Sequence, residues 1–139
     1  MLIHHQLYAI GGFDGENRLS SMECYHPENN EWTDMPSMKY SRSGAGVAVL
    51  NQVSCKVGCL IPRLINFYFI IFEQYIYVVG GFDGTRQLSS VERFDTDNKI
   101  WETITPMKTS RSALSVNVID GKVYAMVQFC MFCSLAFWQ

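Results

Sequence analysis

The side chains of this sequence best placed to do chemistry are cationic. Arg18, Lys39, Arg42, Arg86, Lys108 and Arg111 are six of its eleven lysines and arginines, and each stands in a stretch rich in Gly, Ser or Asp. A guanidinium clamps a carboxylate through paired charge-assisted hydrogen bonds, so such a set suits an acidic ligand. Catalysis has less to work with. The only histidines are His4, His5 and His26, two of them adjacent, and no nucleophile has a plausible base. Cys55 and Cys59 with Cys130 and Cys133 are of the right type for a four-thiolate zinc site. All four, however, fall in segments that break the pattern described next. We therefore expect a binding protein without enzymatic activity, metal or cofactor.

A repeat positions these residues. Tyr8-Ala9-Ile10-Gly11-Gly12-Phe13-Asp14-Gly15 returns 69 positions later as Tyr77-Val78-Val79-Gly80-Gly81-Phe82-Asp83-Gly84. Trp32 and Trp101 keep that offset, as do Ser41-Arg42-Ser43 and Ser110-Arg111-Ser112, so whole supersecondary units recur. A third, partial copy, Val123-Tyr124-Ala125-Met126, follows Ile76-Tyr77-Val78-Val79 by only 47 positions. The difference is a surplus of 22 residues, Val53 to Gln74. A period near 47 residues, with an apolar strand ending in Gly-Gly and a later Trp, predicts four-stranded propeller blades.

Alternation and turn residues then predict the strands. Residues 45–50 and 115–119 read as the innermost strand of a blade, 7–10 and 76–79 as the second. Residues 22–25 and 91–94 read as the third, and 31–33 and 100–103 as the outer edge. Pro27 to Asn30 and Asp95 to Asn98 are turn chemistry. Trp32, Trp101, Tyr25 and Phe94 are expected to pack between blades. In a meander every second loop emerges at the same end, so residues 13–19 and 82–88 share a rim with the crossings at 38–43 and 107–112. That rim would carry the six cations against Asp14, Glu16 and Asp83, and an acidic partner is its natural complement.

With Gly11-Gly12, Glu23-Cys24-Tyr25, Trp32 and Met38, and again Gly80-Gly81, Glu92-Arg93-Phe94, Trp101 and Met107, the chain resembles the Kelch-repeat family over residues 5–52 and 75–126. The runs at 11–19, 23–25, 30–32, 42–47 and 111–114 are most similar to the BTB-Kelch adaptors of cullin-RING ubiquitin ligases, and to a stress-sensing member in particular. The resemblance implies an all-β fold, a partial Kelch-type β-propeller of about two four-stranded blades from a ring that has six in the family. It also implies partner binding at Arg18, Ser43, Phe82, Gln87 and Ser112, positions matching those that in the stress-sensing member hold an acidic Glu-Thr-Gly-Glu type turn of a bZIP transcription factor. Phe82 departs from the family's usual tyrosine, leaving an apolar platform without a phenolic hydroxyl. Other arginines of that pocket belong to blades with no counterpart here, so weakened binding is expected. Without a BTB region, direct cullin contact is not. An actin-binding or scaffold role, or a truncated isoform without independent function, are the alternatives. Kelch-type copper oxidases need a tyrosine, cysteine and histidine cluster, which these histidines do not supply.

The expected organisation is thus a Kelch repeat at 1–52, an insertion at 53–74, a Kelch repeat at 75–126 and an apolar tail at 127–139. Leu64 to Phe72 is an uncharged run of nine residues. It is far short of the ~20 that span a bilayer, but β-prone and liable to aggregate. Gln52-Val53-Ser54 is what a splice donor would encode, and a pyrimidine-rich tract ending in CAG would read as Phe, Ile and Tyr before Gln74. Translated intron is therefore the expected origin of the insertion, and the tail is read in the same way. The formal charge of −2 argues against nucleic acid. No leader is evident at Met1 to His5, so a reducing cytoplasm or the nucleus is the expected location, without disulfides or membrane contact.

Overall fold

The computed structural model describes the backbone at residues 2–3, 6–59 and 66–127, and side chains at 6–51 and 74–126. Three antiparallel sheets follow one another along the chain. The first has the order β1 (Leu2–Ile3), β2 (Gln6–Phe13), β3 (Arg18–His26), β4 (Glu31–Met35). The second repeats it with β5 (Gly46–Cys59), β6 (Asn66–Val79), β7 (Val91–Asp95) and β8 (Ile100–Ile104). The third is the hairpin of β9 (Leu114–Ile119) and β10 (Lys122–Val127). This is the all-β, partial-propeller architecture that the repeat predicts.

Alternation along each strand sends one set of side chains to the sheet before it and the other to the sheet after it. Tyr8, Ile10, Met22, Cys24 and Met35 leave the first sheet to meet Ile76, Phe94, Val47, Val49 and Trp101 of the second. From the far side of the second sheet, Tyr77, Val79, Val91 and Ile104 meet Leu114, Val116, Val118, Val123 and Ala125 of the third. Phe94 and Ile76 have no exposed surface. Each such side chain contributes about 1.5–3 kcal/mol on burial.

The glycine pair that ends the second strand is required by the crossing loop. Gly80 has φ 61°, and a β-carbon there would stand 2.5 Å from the Arg111 carbonyl oxygen. Its repeat mate Gly11, at φ 59°, would meet the Arg42 carbonyl at 2.7 Å. Each crossing therefore lies directly on backbone and holds its side chains at the rim.

The two tryptophans part company. Trp101 packs on Phe94 with ring centroids 5.1 Å apart, and its Nε1 donates to the Pro36 carbonyl of the first sheet at 2.7 Å. Trp32, expected to be buried alike, is 48% exposed. Among the described residues it stacks on Tyr25 alone, at 5.2 Å, and no sheet covers that face.

The surplus segment lies between the first and second strands of its blade, and both strands run on through it. Pairing continues from Gln52↔Glu73 to Cys59↔Asn66, so that β5 and β6 are each 14 residues long. Residues 60–65 and the tail at 128–139 lie outside the described residues, and so do the side chains of the four candidate zinc thiols.

Candidate functional site

The β2–β3 and β6–β7 connections and the two crossings meet at one rim, joined by backbone hydrogen bonds. Gly12 N donates to Arg42 O at 2.9 Å. Ser43 and Phe82 exchange a pair of bonds, at 3.0 and 2.8 Å. Phe82 also bridges Gln87, Leu88 bridges Arg111, and Ala113 N donates to Gly44 O at 2.8 Å. Ser43, Phe82, Gln87 and Ser112 are thereby strung across the rim, with Gln87 exposed and the other three half-buried.

Arg18 joins them through its side chain. A bulge between Ile10 and Gly12 lets β2 continue to Phe13, which pairs with Arg18 across the strands. The guanidinium lies 3.9 Å from the Phe13 ring centroid and 5.5 Å from that of Phe82. Cation–π attraction of this kind contributes about 0.5–2 kcal/mol and holds the group without neutralising it. Arg18 Nε is buried and has no hydrogen-bond partner among the described residues. A cleft of about 290 Å³ opens there, lined by Phe13, Glu16, Asn17, Arg18, Asp83 and Gly84.

The neighbouring acids are engaged in their own loops. Asp14 Oδ1 accepts from Glu16 N at 2.8 Å and Asn17 N at 2.7 Å. Asp83 Oδ1 accepts from Arg86 N, Thr85 N and Thr85 Oγ1, each at 2.8 Å. Those bonds hold Asp83 down to about 2, with the Arg86 amide the largest cause, and lower Asp14 for the same reason. Arg86 stands 3.6 Å from Asp83 and is 80% exposed. No carboxylate is paired with Arg18 among the described residues.

The charge of the rim needs one correction. Arg42, expected among the free cations, is 1% exposed. Its Nη1 donates to Gly80 O at 2.8 Å and Ser90 O at 3.1 Å, and its Nη2 donates to Ser90 Oγ at 3.1 Å and Glu92 Oε1 at 2.6 Å. Glu92, also 1% exposed, accepts Lys39 N at 2.7 Å through its other oxygen. Burial pulls Arg42 below the ordinary guanidinium range while Glu92 opposes that shift. The pair fastens the first sheet to the second and is unavailable to a ligand. Arg18, Lys39, Arg86, Lys108 and Arg111 remain against Asp14, Glu16 and Asp83.

Phe13 is a member of the site that sequence reasoning missed. Its signal lay in the repeat: Phe13 and Arg18 occupy the places of Phe82 and Gln87 one blade earlier, and both pairs face each other across strands. Two copies of one constellation, an aromatic platform opposite a long donor, thus stand side by side.

Comparison with known proteins gives a concordant result. The Kelch motif matches at residues 2–39 and 70–108. The chain is 29% identical over 145 residues to Kelch-like protein 35 of Mus musculus, with 86% of this chain and 25% of that protein aligned. It is 30% identical over 150 residues to Kelch-like protein 26 of Danio rerio, with the same coverage of 86% and 25%. With Kelch-like protein 28 of Mus musculus the identity is 30% over 129 residues, covering 86% of this chain and 19% of that one. The chain therefore spans about a quarter or less of the length of these relatives.

Proposed function

Since this chain belongs to the Kelch-repeat family, we propose that it acts as a protein-interaction module whose rim takes an acidic peptide turn, as the substrate-recognition part of a ubiquitin-ligase adaptor would. The observation that carries this reading is Arg18, held between Phe13 and Phe82 beside acids already engaged in their own turns. A stacked guanidinium keeps its in-plane donors free to meet a carboxylate edge-on, and the aromatic faces exclude water from one side of that contact. Gln87, Ser43 and Ser112 supply neutral donors and acceptors along the same line, fixing register without adding charge to desolvate. A hairpin turn with carboxylates at both ends, of the Glu-Thr-Gly-Glu kind, meets these requirements.

The chemistry is recognition only. The ligand's carboxylate exchanges water for Arg18, its turn backbone settles on Phe82, and no bond is made or broken. Titrating a fluorescent Glu-Thr-Gly-Glu peptide against the chain by anisotropy tests the reading. Arg18→Ala is expected to weaken binding by about tenfold or more, the loss of one charge-assisted contact, whereas Arg86→Ala should change it little. Binding indifferent to Arg18, or filament cosedimentation indifferent to it, would redirect the assignment to a scaffold role.

A further inference from the structure

The repeat that builds the contact between the first and second sheets also leaves its two halves at opposite ends of the described chain. Within the molecule, Tyr8 and Ile10 of one sheet press on Ile76 and Phe94 of the next. The positions 69 residues before Ile76, Phe94 and Trp101 are Leu7, Tyr25 and Trp32. These share the face of the first sheet that no other sheet covers among the described residues, since Leu7 pairs with Tyr25 and Tyr25 with Trp32 across the strands. Leu7 is 41% and Trp32 48% exposed. At the other end, Tyr124 and Met126 hold in β10 the places of Tyr8 and Ile10. They lie on the side of the hairpin away from Val123 and Ala125, and are 44% and 48% exposed. Ile119, 55% exposed, lies beside them, paired with Lys122.

We propose that these two faces dock on each other between copies of this chain, the Tyr124 face of one copy against the Trp32 face of the next. The charges are complementary as well. The first face carries Glu23 and Asp34, paired across β3 and β4 and both exposed. The second carries Lys122, with Asp120 in the hairpin turn. Leu7 and Tyr25 of the second copy would cover Tyr124 and Met126 as Ile76 and Phe94 cover Tyr8 and Ile10. The contact is heterologous, because the surfaces differ, so it adds copies head to tail instead of closing a two-fold dimer.

That asymmetry supplies the test. In sedimentation velocity the full 139-residue chain should gain weight-average mass with concentration. Trp32→Glu and Tyr124→Glu should each weaken self-association at least tenfold while keeping the far-UV circular dichroism of the parent. Mixed in equal amounts, they should form a heterodimer that grows no further, because each retains the face the other has lost. Leu7→Glu and Met126→Glu form a second pair that must behave alike. Lys122→Glu, on an exposed position, should weaken association in low salt. A parent chain that stays monomeric, variants that associate undiminished, or folded variants whose mixture stays monomeric would each overturn the proposal.

Discussion

Replacing Arg42 by alanine removes the fastening between the first two sheets, and its cost can be worked out group by group. The substitution would leave the Gly80 and Ser90 carbonyl oxygens, the Ser90 hydroxyl and the Glu92 carboxylate without their guanidinium donors. Both charged side chains are essentially sealed, at 0% and 1% exposure. Glu92 would keep bonds from Lys39 N at 2.7 Å and Tyr40 N at 3.3 Å, which hold its charge in place without neutralising it. Breaking a buried pair from one side costs about 3–5 kcal/mol, chiefly the penalty of the orphaned charge. Against a typical total of about 5–15 kcal/mol, that is a large fraction of the stability. Urea unfolding followed by tryptophan fluorescence should therefore show a sharply lowered midpoint, with Trp101 reporting on the same interface through its bond to Pro36 O. Arg93→Ala is the internal control. Its partner Glu102 lies at a comparable 2.7 Å, but the pair is 31% and 49% exposed, and exposed pairs contribute about 0–1 kcal/mol. Arg42→Met with Glu92→Met should recover only part of the loss, because the Lys39 amide and Gly80 carbonyl would still lack partners. An Arg42→Ala cost below about 1 kcal/mol, or one equal to that of Arg93→Ala, would refute the reasoning that burial decides the energy of this pair.

Other substitutions test the loops. Lys99 has φ 59° at the turn position where its repeat mate Asn30 has φ 56°; left-handed backbone disfavours lysine more than asparagine, so Lys99→Asn should stabilise by about 0.5–1 kcal/mol in thermal unfolding, and a lower melting temperature would contradict it. Gly80→Ala sets a β-carbon against the Arg111 carbonyl in left-handed backbone and should cost about 1–3 kcal/mol, read as a shift of the urea midpoint. Asp83 is held at about 2 in the folded chain by the amides of Arg86 and Thr85, against ~3.9 when unfolded. A depressed carboxyl stabilises the folded state above its unfolded value, and that contribution disappears as pH falls through about 2. Asp83→Asn should accordingly flatten the decline of stability between about pH 4 and pH 2; an unchanged acid limb would count against this assignment.

Much of the fold was legible because its determinants are local. Strand positions follow from alternation, and turns from Pro27 to Asn30 and Asp95 to Asn98. The second strand ends at Gly-Gly because a crossing lies against it. Even the continuation of β5 and β6 into the surplus segment agrees with the β-branched and aromatic content of that run. The site was legible only in part. Its rim could be placed by counting the connections of a meander, but the Phe13 platform under Arg18 depends on a bulge at Gly11 that prolongs β2 by three residues. The different exposure of Trp32 and Trp101 was not legible at all, since both stand in equivalent strands and differ only in whether another sheet faces them.

The clearest division between the two levels is in the repeated tripeptide Ser-Arg-Ser. By itself the sequence determined that residues 41–43 and 110–112 are equivalent crossings at one rim, because periodicity assigns both to the same step of the meander. Only the tertiary structure decided that Arg42 is sealed against Glu92 while Arg111 is half-buried with no acid paired to it among the described residues. The physical reason is that a guanidinium's environment is set by what packs on it, and Glu92 comes from 50 residues away. Local sequence can specify a donor and its loop. Whether that donor holds two sheets together or meets a ligand depends on the neighbouring sheet.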